Sequence, residues 1–594
     1  MIKQIVGIFA IASLLFTSCS SPKTAGNGDD ARFEKFRDYY VNDLWKISPS
    51  SAIYAGYHNY DSILIAPTTQ NRELADKAYE GLLDSLKGFD EQKLSDLNRI
   101  DLWMMRDNLN ANLWYSREFK SYEWNPSNYN VAGEFAEILN GRYDKLDNRL
   151  RMFNRRLEQV PAFYAAAIEQ IKNPSIEHTD LAILQNEGSQ EEVFGKALVD
   201  SVNASGLTSA EKQHLIAWAD TAKSQMNKYV SWLKEKRKTM TTENSHSFRI
   251  GKDLYEKKFN YDIVSHYTAD EIYAKAKVRK DQIHSEMAKI AASIWPKYFP
   301  KVPMPSDSML MVRKMIDTLS VQHVNRDSFM SSIEQQLPTL IKFISDKKLI
   351  YIDPSKPLVV RKTPGYMEGG GAGASISPPG PYDKGGNTYY NVSPLTGYTP
   401  EAAESYLREY NKYILQILNM HEAIPGHYTQ LVYSNQSPSL VKSIFGNGAM
   451  VEGWAVYSER MMLESGYGNN EPEMWLMYYK WHLRSVCNTI LDHDVHVNNM
   501  SEADAMKLLM DGDFQQSAEA QGKWRRVKLT QVQLASYFTG FTEIYDLREE
   551  IKKELGDKFD LKAFHEKFLS YGSAPVKYIR ELMLEDIKKN HSLK

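Results

Sequence analysis

Residues 268–294 read TADEIYAKAKVRKDQIHSEMAKIAASI. Thr268 stands where a helix cap belongs, and Glu271 follows three residues on. A Thr with an acidic residue at that offset can satisfy two helix-end amides reciprocally, so the stretch predicts a long helix beginning after Thr268. The same periodicity extends outward in both directions. ARFEKFRDYYVNDLWKI, residues 31–47, places Phe33, Phe36, Tyr40 and Leu44 at helical spacing, and Pro49 stops that helix. Residues 73–89, 149–171 and 209–238 carry further helical stripes, the pattern of core positions rather than of cofactor sites. Residues 351–399 break the pattern. YIDP, LVVRKTPGYMEGGGAGASISPPGPYDKGG and TYYNVSPL are β-branched and aromatic runs bounded by Gly and Pro, which predict short strands and turns. Helices resume after Pro400, and no solenoid repeat is present. The expected fold is mainly α, with a small β-sheet next to the helix that carries the strongest motif.

Composition narrows the function classes. A chain of 594 residues with 42% hydrophobic content can bury a large core, and 12% aromatic content argues against disorder. The net charge of -3 offers no basic face for nucleic acid. Of the two cysteines, Cys19 lies in the leader, so the body has no internal disulfide; Cys487, in SVCNTIL, reads as a buried core residue.

Residues 1–18, MIKQIVGIFAIASLLFTS, have a positive start at Lys3 and an apolar run from Ile5 to Phe16, the pattern of a signal peptide. LLFTSC resembles a bacterial lipobox with Cys19 as the lipidated residue; ordinary cleavage, with Cys19 incidental, is the alternative. Residues 19–30 then form a tether, and residues 31–594 form the body, helical to about 350, with sheet and site in 351–594. No later segment is apolar for 18 residues, so the expectation is an exported envelope protein held by lipid rather than by a span.

The strongest local signal is His421-Glu422-Ala423-Ile424-Pro425-Gly426-His427. Zinc takes imidazoles and carboxylates at about 2.0–2.2 Å, and a catalytic site keeps one position for water. Zinc peptidases usually carry two His four apart on one helical face, with Glu after the first as general base. Here the two lie six apart, so the helix must break between them, and Pro425 and Gly426 are residues that break helices. His-Glu also occurs at His565-Glu566, without a second His nearby; a chance pairing among 14 His is the bland alternative. Glu452 follows His427 by 25 residues, enough for a turn and a return helix, and is the expected third ligand. Glu459, seven further on, falls near the same helical face and could accept from a ligand His or pair with Arg460. Asp492 and His496 could form a second cluster, or His496 could meet the developing oxyanion. Tyr537 is a fitting donor to a tetrahedral intermediate, and Arg548 could hold a substrate carboxylate; each could equally be structural.

Together these segments resemble the bacterial domain-of-unknown-function 885 family, grouped with helical zinc peptidases of the gluzincin type. The resemblance runs through most of the body: SPSSAIYAGYHNYD, LRMFNRRLEQVPAFYAAAIEQI, TYYNVSPL, HEAIPGHYTQ, EGWAVYSE, the spacing from Asp492 to His496, and FDLKAFHEKFLSYGSAPV. It implies one zinc ion per chain held by His421, His427 and Glu452, with Glu422 as base, and it points to Tyr537 and Arg548 as pocket residues. Tyr390, in TYYNVSPL, is expected to border the substrate, and Glu459 and Asp492 to support the ligands. The chain departs from the family at Gln531-Val532-Gln533, where Pro-Gly-Gln is usual, and at Asn488, where a basic residue is expected.

The expected activity is peptide hydrolysis by a metal-activated water, with Glu422 moving the proton. Residues Gly365–Ser375 could pair with the substrate backbone as an added strand, or form a surface loop. A non-enzymatic binding lipoprotein with a vestigial site, and a zinc hydrolase of non-peptide amides or esters, are the alternatives. Oligomeric state is not legible.

Overall fold

The Thr268 cap forms as the sequence predicts. Thr268 Oγ1 accepts from the Glu271 amide at 3.2 Å, and Glu271 accepts from the Thr268 amide at 2.8 Å. The helix that follows, Ala269–Tyr298 (α1), runs 30 residues. The computed structural model describes residues 28–363, 374–382 and 387–593. The leader, Cys19 and residues 365–373 of the expected substrate strand lie outside the described residues.

Helices dominate from Gly28 to Asn590. Residues 149–171 form two helices rather than one continuous stripe, Leu146–Leu157 and Val160–Gln170, with Pro161 in the first turn of the second. Proline lacks the amide that a helix interior needs but is tolerated in a first turn. The largest apolar core joins Phe33 and Trp45 near the start of the body to Met583 and Ile587 near its end. Helices between Pro49 and Arg237 bury a second cluster around Phe135, Phe153 and Tyr229. Cys487 is buried, as its apolar surroundings suggested.

Seven further helices surround or flank the motif: Phe329–Lys347 (α2), Ile414–Glu422 (α3), His427–Asn435 (α4), Gly448–Glu464 (α5), Pro472–His496 (α6), Ser517–Leu529 (α7) and Ser536–Leu555 (α8). The sheet has three strands, Leu358–Lys362 (β1), Ala374–Ser377 (β2) and Thr388–Val392 (β3). β3 is central, parallel to β1 and antiparallel to β2. It is fastened to the motif helix by side chains. Tyr390 is wholly buried and its hydroxyl donates to Asn419 Oδ1 at 2.8 Å, two residues before His421. Asn419 in turn donates to Gln336 of α2 at 2.7 Å.

A buried ion pair ties the amino-terminal helices to the segment after α4. Lys442 Nζ lies 2.5 Å from Asp101 Oδ1, and Arg37 holds the other oxygen at 2.9 Å. Removing one partner of such a pair strands a desolvated charge, at a cost of about 3–5 kcal/mol.

Candidate metal centre

α3 ends at Glu422 and α4 begins at His427, so the six-residue spacing is two helices meeting at a turn. The amides of Ala423 and Ile424 both return to the Asn419 carbonyl at 3.0 Å, and the Ile424–Pro425 bond is cis. At Gly426 a Cβ would stand 1.9 Å from the His421 carbonyl oxygen, so only glycine passes that close to the helix it leaves. α5 holds the turn from the other side: the Trp454 indole donates to the Pro425 carbonyl at 2.8 Å.

The turn faces both imidazoles toward Glu452. His421 Nε2 lies 3.8 Å and His427 Nε2 3.5 Å from Glu452 Oε2, and ligating atoms of all three lie within 4.8 Å of one another. Two ligands of one tetrahedral zinc, each about 2.0–2.2 Å away, stand ~3.4 Å apart, so the donor set and its spacing fit the ion. Glu459, two helical turns beyond Glu452, accepts from His421 Nδ1 at 2.7 Å and from the Trp481 indole at 3.0 Å on the same oxygen. That contact places the His421 proton on Nδ1 and leaves Nε2 as a donor pair for a cation. The Gln430 amide lies 2.8 Å from His427 Nδ1 and 2.9 Å from the Val451 carbonyl, orienting the second ring.

The electrostatics favour positive charge between these groups. Burial opposes charge on His421, yet Glu459, Glu422 and Glu452 outweigh it and raise its pKa to about 9. Burial also works against ionisation of Glu452, but His427, His421 and Arg526 hold its carboxyl below the usual range. Glu422 is pushed up by burial and by Glu452 and Glu459, with the two imidazoles pulling back. Three carboxylates around two imidazoles leave a deficit of positive charge that a divalent cation would fill. Among the described residues no hydrogen bond or ion pair holds the Glu422 carboxylate.

The other expected site residues divide by location. α5 and α8 touch backbone to backbone, which brings Tyr537 within electrostatic range of Glu452. A Cβ on Gly453 would stand 2.4 Å from Gly540 Cα, and one on Gly540 would stand 1.7 Å from the Ala449 carbonyl oxygen. This contact sets Tyr537, one turn before Gly540, where the Glu452 charge acts on its hydroxyl. Asp492 supports that placement from behind: wholly buried, it accepts from the amides of Val532, Leu534 and Ala535 in the turn that leads into α8. Val532 has φ +70°. That is the left-handed region, which favours glycine.

His496 is not brought to the centre. Its Nε2 meets the carbonyls of Val527 and Thr530, each at 3.0 Å, and burial pushes its pKa down to about 4. It lies fifteen residues along α6 from Trp481, about 22 Å of helix, and it pins the end of α7. Tyr390 is enclosed against Asn419 and borders the motif helix from behind. Arg548 is engaged elsewhere, with Glu464 and Glu549, each at 2.9 Å. Gln430, Trp481 and the Gly453–Gly540 contact escaped the sequence reading. Only the HEAIPGHYTQ and EGWA segments, which contain Gln430 and Gly453, carried a signal there.

The sequence profile described as "Bacterial protein of unknown function (DUF885)" matches residues 49–583. The solved structure of a candidate lipoprotein of unknown function from Shewanella oneidensis is 55% identical, with a TM-score of 0.87, covering 93% of this chain and 99% of that one. A candidate lipoprotein from Colwellia psychrerythraea is 18% identical with a TM-score of 0.76, over 95% of this chain and 100% of that one, a likeness that shows the fold. No curated protein matches. Among the described residues no helix is long and apolar enough to cross a membrane.

Proposed function

The chain belongs to the bacterial family DUF885, and from that starting point we propose that it is a zinc-dependent peptidase. The observation that carries the reading is the convergence of His421, His427 and Glu452, with the Glu422 carboxylate beside them and bound to nothing among the described residues. His421, His427 and Glu452 would hold the ion. When bound, zinc supplies a Lewis acid that makes water more acidic and draws charge from a scissile carbonyl. Glu459 keeps the His421 proton on Nδ1, so that Nε2 stays available. Glu422 takes a proton from the attacking water and delivers it to the leaving amine. Tyr537 donates its hydroxyl to the charge that develops on the carbonyl oxygen.

Glu422→Gln tests this directly, because it keeps shape and removes basicity. Zinc content and melting temperature should stay as they are, while hydrolysis of a mixed peptide library falls by roughly 10²–10⁴-fold. A folded, zinc-loaded variant with near-normal turnover would remove Glu422 from the mechanism. A protein that only binds peptides would release no Glu422-dependent product, and amides and esters in the same assay identify a non-peptide substrate. The lipobox-like LLFTSC, together with two similar proteins described as candidate lipoproteins, supports an envelope anchor at Cys19. Mass spectrometry of the mature amino terminus reads that directly.

A further inference from the structure

α7 carries Glu519, Lys523 and Arg526 at positions i, i+4 and i+7, which is one helical face. Its two ends reach different neighbours of the candidate metal centre, Trp481 on α6 through Arg484 and Tyr537 on α8. At one end Glu519 pairs with Arg484, whose guanidinium lies 4.8 Å over the Trp481 ring. Trp481 is the residue that shares Glu459 with His421. At the other end Arg526 donates to Gln533 Oε1 at 2.7 Å and to the Tyr537 hydroxyl at 3.3 Å. The face between these contacts therefore spans from the His421 side of the centre to the Tyr537 side.

The charges on that face do not balance. Arg484 is compensated twice, by Glu409 and by Glu519, and Lys480 is compensated by Glu409. Lys523 and Arg526 form no ion pair among the described residues. Lys523 is half-buried, and burial together with Arg484 and Arg526 pushes its pKa down to about 7, with Asp513 pulling the other way. A cation withdrawn from water without a counter-ion is costly, and natural structures keep such groups where a ligand supplies the charge. An ammonium and a guanidinium one turn apart can together hold a carboxylate, the guanidinium through two parallel hydrogen bonds.

We propose that Lys523 and Arg526 form a pocket for a carboxylate of the substrate. This rests on the peptidase reading and narrows it to a substrate class. Arg526 meets the Tyr537 hydroxyl, and one extended residue spans about 3.3–3.6 Å. The carboxylate therefore belongs to a residue at or next to the scissile bond. Two sources share that chemistry, the terminal carboxylate of a short peptide and an Asp or Glu side chain.

The test reads binding, so that it does not depend on turnover. The full chain carrying Glu422→Gln is titrated calorimetrically with an alanine tetrapeptide as free acid and as carboxamide. A blocked pentapeptide with a central glutamate is then compared with its glutamine counterpart. The carboxylate member of one pair should bind roughly 10- to 100-fold tighter, the scale of hydrogen bonds to a charged group. Adding Lys523→Met and Arg526→Met should bring its affinity down to that of its neutral partner. A preference in the first pair assigns the terminal carboxylate, and one in the second assigns an acidic side chain. Arg526 is exposed, so Arg526→Met alone carries the test if the double replacement does not fold. No preference in either pair, or a preference that survives the replacements, overturns the proposal. If the zinc-loaded protein with native Glu422 hydrolyses none of these peptides while selective binding holds, the carboxylate pocket stands and the peptidase reading falls.

Discussion

The two ends of α5 present the same residue type in opposite settings. Near its start, Glu452 faces the imidazoles of His421 and His427. At its last residue, Glu464 is clasped by Arg460 at 2.7 Å and Arg548 at 2.9 Å. Twelve residues, about 18 Å of helix, separate them, and α8 lies alongside both. A carboxylate saturated by guanidinium groups has no capacity left for chemistry and joins two helices. A carboxylate that shares two imidazoles with Glu422 and Glu459 is still short of positive charge. The contrast separates the end that would hold an ion under the proposed function from the end that holds the helices together.

The largest effect that could break this contrast is at His427. His427→Ala removes one of the three proposed ligands, and elemental analysis should find the zinc gone and hydrolysis with it, while the apo protein keeps its fold. Full zinc retention would dissolve the assignment. Tyr537→Phe is next. In the proposed mechanism its hydroxyl serves the transition state rather than the ground state, so kcat should fall by roughly 10²-fold with KM little changed. Equal loss in both parameters would make Tyr537 a structural residue. Arg548→Met should affect turnover least. It should cost about 2–3 kcal/mol in urea unfolding, below the full penalty for a broken buried pair because the site is partly solvated. Turnover per folded molecule should be unchanged. A tenfold loss of kcat/KM at unchanged stability would instead return Arg548 to the substrate.

Arg548 also shows what sequence alone could resolve. Eleven residues after Tyr537, it falls on nearly the same helical face, and the family resemblance pointed to both as pocket residues. Periodicity gives the angle around a helix but not which neighbour stands at that height, and at the height of Arg548 the neighbour is Glu464. His496 suffered the same loss, about four turns past Trp481 on α6. The convergence of His421, His427 and Glu452 was more legible because its evidence is local: two His, a Pro-Gly break between them, and a Glu one return helix away. The helical class and the small sheet were legible for the same reason. The Gly453–Gly540 contact was not, since two glycines 87 positions apart reveal nothing until the helices that carry them are packed. Lys523 and Arg526 were passed over because charges on a helix read as a solvated face until the neighbours of each are known.

The hydrogen bond from Trp481 to Glu459 has an optical consequence. The indole nitrogen and the His421 imidazole share one carboxylate oxygen. Any cation seated at His421 Nε2 draws electron density through the ring and weakens the negative potential felt by the indole. Trp481 is thus a native fluorophore wired to the centre. Its emission, isolated as the difference between the native chain and Trp481→Phe, should shift with metal loading in the intact protein, with no substrate and no added label.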